Sequence, residues 1–259
     1  MLKRFTTDFK VVSLEHTGED FILMTLRHPD KMPAINAGQF VEVRIPDTAG
    51  TFLRRPISIH DVDYDKNTLS LLIKMVGNGT RILGQMRAGD SLNLVYPLGN
   101  GFDVEKCGKR PLLIGGGVGV APLLYLGRVL KEKGCEVEYL FGARSLDGVL
   151  RKDVYTSVGE VNITTEDGSY GTRGFVTDHA CLKERVGDYT SLLVCGPTPM
   201  MKAVAKVAKG SGVPCYVSLE NKMACGIGVC LCCVTDTVEG HKCVCSEGPV
   251  FDIKDLKWE

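Results

Sequence analysis

The chain has 259 residues, 44% of them hydrophobic, and its 31 basic and 31 acidic residues cancel to a formal net charge of zero. That length suits two domains and a small third, and zero net charge excludes a global field that would gather nucleic acid or an anionic membrane. No apolar run approaches the ~18 residues of a transmembrane helix, and Met1-Leu2-Lys3-Arg4-Phe5 lacks a signal peptide's apolar stretch, so the expected location is the cytoplasm.

Residues 1 to about 100 read as short strands separated by turns. Val41, Val43 and Ile45 alternate with Glu42 and Arg44; Leu69, Leu71, Ile73 and Met75 alternate with Ser70, Leu72 and Lys74; Leu92 and Leu94 alternate with Ser91 and Asn93. A period of two marks half-buried strands. With Phe21–Arg27, Ile57–Val62 and a short N-terminal strand the count is about six, enough to close a small antiparallel barrel. Arg54-Arg55-Pro56-Ile57-Ser58 lies on one of these strands and Gly77-Asn78-Gly79-Thr80 follows another. An arginine fork and a glycine-threonine loop together can hold a diphosphate. Singly, Arg55 also reads as a solvated surface residue and Gly79 as a turn glycine.

From Arg110 the rhythm changes. The apolar runs Leu112–Ile114, Val137–Phe141, Val161–Thr164 and Leu192–Cys195 alternate with helical stretches, the pattern of a parallel sheet with crossover helices. The last helix has Thr198 as a cap, Pro199 in its first turn and Gly210 as a stop. Gly117-x-Gly119-x-x-Pro122 follows the first strand and is expected to open a helix, where backbone N–H groups can meet a pyrophosphate. Alone it also reads as a tight strand–helix turn. Cys195-Gly196-Pro197 ends a later strand at the carboxyl edge, where such sheets bind ligands. Glu166 and Asp167 follow another strand and would repel a 2′-phosphate, favouring NAD over NADP; a solvated acidic turn is the competing reading.

Residues 216–259 have little regular pattern and hold six of the eleven cysteines. Without an export signal, so many cysteines point to metal or redox use rather than to disulfides. Cys225, Cys230 and Cys233 read C-x4-C-x2-C, the plant-type spacing for a 2Fe–2S cluster completed by a more distant cysteine. Both Cys243 and Cys245 are near enough to serve. Gly226 and Gly228 can curl the backbone around such a group. A segment this short is expected to need its metal centre to fold. A structural zinc site using four of these thiolates is the contrasting reading. His16, His28, His60, His179 and His241 are scattered without metal-ligand spacing, and no triad or paired-carboxylate site is apparent, so no catalytic side chain is assigned.

Barrel, nucleotide domain and motif order together resemble the ferredoxin–NADP reductase superfamily, whose Arg-x-Tyr-Ser motif binds FAD. Here the motif is Arg55-Pro56-Ile57-Ser58, with isoleucine in place of the aromatic. That variant, with Pro97-Leu98-Gly99-Asn100-Gly101-Phe102 and with Gly248-Pro249-Val250-Phe251 after the cysteines, resembles the electron-transfer subunits of B-type, NAD-dependent dihydroorotate dehydrogenases over nearly the whole chain. The resemblance implies a six-stranded antiparallel Greek-key FAD barrel (1–101), a parallel-sheet NAD-binding domain (102–215) and a small 2Fe–2S cluster domain (216–259). It implies FAD held by Arg55, Pro56, Ile57, Ser58, Leu72, Ile73, Lys74, Gly79 and Thr80, and NAD as co-substrate over Gly117 and Gly119 with its reactive ring near Cys195 and Gly196. It selects Cys225, Cys230, Cys233 and Cys245 as cluster ligands, because the family's last ligand precedes Gly-Pro-Val-Phe by two residues. Cys232 and Cys243 then read as spare, buried small hydrophobes.

The function so implied passes electrons between NAD(H), FAD, the cluster and the FMN of a separate dihydroorotate dehydrogenase catalytic subunit, in a heterotetramer of two copies each. The same chemistry would serve another acceptor, as in a sulfide dehydrogenase or a ferredoxin-linked transhydrogenase. A zinc-stapled binding module is the remoter alternative.

Overall fold

The computed structural model describes residues 3–46 and 50–258. Six strands, β1 (Phe5–Thr17), β2 (Phe21–Arg27), β3 (Phe40–Val43), β4 (Arg55–Asp63), β5 (Thr68–Lys74) and β6 (Ser91–Leu98), form a closed antiparallel barrel in the order β1-β2-β5-β4-β3-β6. Reaching past two later strands, β2 pairs with β5, a Greek-key connection. Alternation fills the barrel: Phe9, Ile22, Met24, Val41, Val43, Leu69, Leu71, Leu92 and Leu94 all point into one buried core. The sequence predicts a short first strand, but β1 runs for 13 residues. It pairs with β6 through its first half and with β2 through its second, shifting register between Val11 and Ser13. One bent strand thereby closes the barrel. The six-residue helix α1 (Asn78–Leu83) packs Leu83 onto the barrel core.

Leu72 breaks the polar side of the β5 alternation, and the fold explains it. Leu72 and Leu23 point outward into a second core shared with the nucleotide domain. Burying a leucine there contributes about 1.5–3 kcal/mol to holding the two bodies together.

That second domain contains β7 (Pro111–Gly116), α2 (Leu123–Glu132), β8 (Glu138–Ala143), α3 (Lys152–Thr156), β9 (Glu160–Thr165), β10 (Thr172–Arg173), α4 (Ala180–Lys183), β11 (Ser191–Cys195) and α5 (Thr198–Ser211). Residues of β7 and β11 are buried throughout, as expected for parallel strands covered by helices on both faces. The glycine turn does not open an α-helix directly: a 3-10 turn over Gly117–Val120 intervenes and α2 begins at Leu123. The last helix is also displaced from its expected stops. Pro197 occupies the cap, Thr198 the first helical position, and Gly212 at φ 74° ends it, its N–H donating to the Ala208 carbonyl. A left-handed residue is what terminates a helix, and Gly210 remains inside it.

The C-terminal segment carries more regular structure than its sequence suggests. β12 (Cys215–Ser218) extends the parallel sheet beside β11, β13 (Val234–Thr237) and β14 (Gly240–Cys243) form a hairpin, and β15 (Val250–Asp252) adds antiparallel to β12. The sheet order is β10-β9-β8-β7-β11-β12-β15. Cys233, Cys243, Val244, Cys245 and Phe251 share one core with Phe40 and Leu98 of the barrel and with α5. The cysteine segment is therefore wedged between barrel and sheet.

Candidate functional site

On the barrel, Arg55 and the glycine loop meet. A Cβ at Gly79 would lie 3.2 Å from Arg55 Nε and from Ile45, so a larger residue would push the guanidinium or the isoleucine back by a few tenths of an ångström. Thr80 Oγ1 fastens the loop, donating to the Gly77 carbonyl at 3.1 Å and accepting from the Gly77 amide at 3.2 Å. Arg54 turns to the framework, donating to Asn93 Oδ1 at 2.5 Å and to the Glu42 carbonyl at 3.2 Å, while Arg55, whose Nη1 donates to the Leu53 carbonyl at 2.7 Å, is the arginine that faces Gly79. Pro56, Ile57 and Ser58 are half-buried along β4, and Lys74 is exposed over the Phe21 ring. Ile73 points into the barrel and Leu72 into the interdomain core. Their side chains are committed to packing, so only backbone is left to face a cofactor.

At the carboxyl edge of the sheet, Gly119 backs directly onto the end of β11. A Cβ there would overlap the Cys195 carbonyl, so the turn after β7 and the Cys195–Gly196 loop touch only because residue 119 has no side chain. Gly117 adopts φ 55°, where glycine carries no strain. Cys195 is fully buried, and burial pushes its thiol well above the ordinary range. It packs; it is no thiolate nucleophile. Glu166 is exposed, while Asp167 accepts from Ser169 N at 2.9 Å and Ser169 Oγ at 2.7 Å, bonds that lower its carboxyl pKa.

The cysteine loop curls through Gly226 at φ 66° and Gly228 at φ 85°. Its amides aim at sulfur: Gly228 N lies 3.1 Å from Cys245 Sγ, Ile227 N 3.4 Å from Cys225 Sγ and Cys245 N 3.4 Å from Cys233 Sγ. Burial raises the Cys225 thiol, but amides including those of Ile227 and Cys230 outweigh it and bring its pKa down to about 6. N–H donors around thiolates are the environment an iron–sulfur cluster needs, so this donor set fits such a group. Among the described residues, no three Cys, His, Asp or Glu side chains gather as one metal ion would require. Cys243, buried, packs as the small hydrophobe expected; Cys232 does not, because it is exposed.

Gly226 lies against Glu42 and Leu98 of the barrel, and Glu42 stands opposite Pro56 across the β3–β4 ladder. The loop is therefore one strand away from the flavin-type motif. Two further motifs explain each other here. Asn100 N donates to the Gly248 carbonyl at 2.6 Å and Asn100 Nδ2 to the Ser246 carbonyl at 3.1 Å, while a Cβ at Gly99 would sit 2.5 Å from Pro249. Pro-Leu-Gly-Asn and Gly-Pro-Val-Phe are two halves of a clamp joining barrel to cysteine segment.

Three family models match the chain in series. They are an oxidoreductase FAD-binding domain over residues 8–102, an oxidoreductase NAD-binding domain over 113–206, and the iron-sulfur cluster binding domain of dihydroorotate dehydrogenase B over 220–257. The chain is 37% identical over 251 residues to a Bacillus pumilus protein named dihydroorotate dehydrogenase B (NAD(+)), electron transfer subunit, with 95% of this chain and 96% of that one covered. To the Clostridium acetobutylicum protein of the same name it is 42% identical over 217 residues, covering 84% of each. The chain belongs to the family of dihydroorotate dehydrogenase B electron transfer subunits. Among solved structures, one described as the NADH-dependent reduced ferredoxin-NADP oxidoreductase superposes with a TM-score of 0.86 at 29% identity, covering 96% of this chain and 90% of that one. A ferredoxin NADP+ reductase from Neisseria gonorrhoeae shares the fold at a TM-score of 0.67 and 17% identity, over 84% and 94%.

As a member of this family the chain is an oxidoreductase subunit with FAD-, NAD- and iron–sulfur-binding domains. Two acidic residues of this family member escape sequence reasoning. Glu42 reads as the outward polar residue of an alternating strand, yet it is only 1% exposed, its carboxylate oxygens have no partner among the described residues, and burial raises its pKa to about 7. The face it points to is polar only until the C-terminal segment covers it. Glu220 follows β12 at the carboxyl edge, exposed at the surface, with the surrounding protein raising its carboxyl pKa by partial desolvation. Recognising β12 as a sheet strand would have flagged it.

Proposed function

We propose that this chain is the electron-transfer subunit of a complex that oxidises dihydroorotate to orotate in pyrimidine biosynthesis, working with a separate FMN-containing catalytic subunit as two copies of each, in the cytoplasm. When bound, FAD would convert two-electron exchange with NAD(H) into one-electron exchange with the 2Fe–2S cluster, the outlet toward the partner's FMN. Residues 1–101, 102–215 and 216–259 are the corresponding units.

In this reading Arg55, Gly79 and Thr80 hold the flavin diphosphate, Pro56, Ile57 and Ser58 lie along the ring, and Leu72, Ile73 and Lys74 offer backbone. Gly117 and Gly119 carry the NAD pyrophosphate, with Cys195 and Gly196 beside the reactive ring. Glu166, the member of the acidic pair not bonded to Ser169, accepts from a ribose hydroxyl. Cys225, Cys230, Cys233 and Cys245 ligate the cluster; the Gly228 amide bonded to Cys245 Sγ supports Cys245 over Cys243. The observation that carries the reading is the packing of Gly226 on Glu42, opposite Pro56, which sets the cysteine loop beside the flavin strand.

The partner face is the outer side of the cysteine loop. Phe52, Val229 and Leu231 are 95%, 75% and 64% exposed, and Phe52, Leu53, Arg4, Cys225 and Ile227 line a cleft of about 520 Å³. Clustered apolar exposure of this kind marks an interaction surface. No helix among the described residues is long and apolar enough to cross a membrane.

Anaerobically purified chain should contain iron, sulfide and FAD and be bleached by NADH, and co-expression with the catalytic subunit should yield dihydroorotate-dependent NAD+ reduction. A colourless protein with stoichiometric zinc would end the redox reading. The 29% identity to the NADH-dependent reduced ferredoxin-NADP oxidoreductase favours a second reading, a reductase subunit serving a ferredoxin-linked acceptor. Co-purification with a ferredoxin-handling enzyme, and none with a dihydroorotate-oxidising flavoprotein, would select it.

A further inference from the structure

We propose that His60 is a positioning residue that sets where the dinucleotide turn stands relative to the flavin strand, and so aligns the nicotinamide ring with the flavin. The inference rests on the reading that β4 carries flavin and the turn after β7 carries NAD.

The strand itself supplies the device. Arg55–Ser58 occupy the first half of β4, and His60 lies two residues beyond Ser58. There the β4–β5 ladder slips: Ile59 pairs with Leu71 but Asp61 with Ser70, so one residue of β4 is extra. Such a bulge re-aims a side chain. His60 leaves the barrel wall, enters the nucleotide domain at 1% exposure, and places Nδ1 2.8 Å from the Ala121 carbonyl oxygen.

A carbonyl only accepts, so Nδ1 carries the proton. Burial is the main reason the ring stays neutral, with Arg151 and Arg128 adding to it, and its pKa is lowered to about 4. At neutral pH the ring therefore offers one N–H, and that N–H is committed to Ala121. Nε2 is buried with no partner among the described residues. An apolar side chain would fill this place at lower desolvation cost.

The neighbouring carbonyl of the same turn is held as well. Tyr155 Oη, on α3 and fully buried, donates to the Val120 carbonyl at 2.7 Å. The His60 and Tyr155 rings meet at a steep angle, 65°, with centroids 6.2 Å apart. Two consecutive carbonyls are thus tethered by different bodies. Tyr155 belongs to the nucleotide domain and fixes the shape of the turn; His60 belongs to the barrel and fixes its position against the flavin strand. The same turn backs onto Cys195 through Gly119, so a shift of the turn reaches the loop beside the reactive ring. A misplacement of roughly 1 Å costs about 100-fold in a positioned reaction.

The test uses the FAD- and cluster-loaded chain as wild type, His60→Leu, His60→Asn and Tyr155→Phe. The readouts are NAD+ affinity by calorimetry, amide hydrogen exchange over residues 117–123, and NADH-driven flavin reduction by stopped flow at saturating NADH. His60→Leu should keep near-wild-type NAD+ affinity and normal reduction by dithionite, show faster exchange in the turn, and reduce its flavin about 100-fold more slowly with NADH. His60→Asn places an amide N–H where Nδ1 was and should recover most of the rate. Tyr155→Phe should instead weaken NAD+ binding. The proposal is overturned if His60→Leu is reduced at the wild-type rate, if it loses affinity and rate in equal measure, or if His60→Asn is no better than His60→Leu. Wild type that NADH does not reduce would sink the underlying reading, and the inference with it.

Discussion

Two glycine-rich loops in this molecule use the same residue for opposite ends. In the turn after β7, glycine lets protein approach protein: Gly119 meets the Cys195 carbonyl, and the carbonyls of Val120 and Ala121 are held by Tyr155 and His60. In the cysteine loop, Gly226 and Gly228 take left-handed conformations that turn amides toward sulfur, while Val229 and Leu231 stay exposed. The first loop is a finished surface, as would suit the co-substrate that the proposed function places there. In the proposed function the second is shaped around a resident group and completed by a partner on its outer side.

If that contrast holds, the cysteine loop should fail all at once when a ligand is removed. Cys245→Ser is expected to lose or alter the visible spectrum of the cluster, whereas Cys243→Ser, changed on a core-facing thiol, should leave it intact. Electron paramagnetic resonance and iron content on anaerobically prepared protein decide it; the reverse pattern would reassign the fourth ligand.

The nucleotide turn should fail by displacement rather than by loss of its cofactor. Gly119→Ala puts a methyl group into the Cys195 carbonyl, so one of the two loops must move. NADH-driven flavin reduction should fall by about 100-fold, with FAD content unchanged. A variant that reduces its flavin normally would show that the contact between these loops does not matter to the ring.

The barrel and the sheet were legible because alternation and buried runs are local patterns, and Leu69, Leu71 and Leu192–Cys195 lie where those patterns put them. What was illegible depends on covering by distant chain. Nothing next to Glu42 in sequence says that Gly226 will bury it, and nothing next to Leu72 says that its outward face meets the nucleotide domain. The cysteine segment looked irregular because β12 and β15 are three to four residues long, too short for a period to show. Arg54 and Arg55 were indistinguishable as neighbours; only the position of Asn93 separates the framework arginine from the one facing Gly79. His60 was one scattered histidine until a bulge aimed it.

The tether from β4 has a signature in acid. His60 has an ordinary pKa of 6.5 when unfolded and about 4 when buried, so between those values the unfolded chain takes up a proton that the folded chain refuses. Folding stability is then fully present above pH 6.5 and declines as pH falls toward 4, by about 3 kcal/mol for this group. His60→Asn, which cannot titrate, should flatten that part of the stability–pH curve in urea unfolding of the loaded chain. An unchanged slope would mean that the ring is protonated in place.

The smallest expected effect lies on the outer side of the cysteine loop. Val229 and Leu231 are exposed apolar residues, with Leu231 held at φ 58°, a conformation that a branched, bulky side chain rarely adopts without outside support. Val229→Asp places a charge where the partner face is proposed to be dry, and removing one contact of this kind weakens association by about tenfold. Because the Val229 side chain is exposed and only its backbone amide serves the Cys225 sulfur, NADH-driven reduction of an artificial acceptor should stay at the wild-type level. Sedimentation of the mixed subunits reads the first quantity and a diaphorase assay the second. Equal loss of both would mean that the residue supports the loop rather than the partner, and the contrast between a finished surface and a completed one would fail at its outer edge.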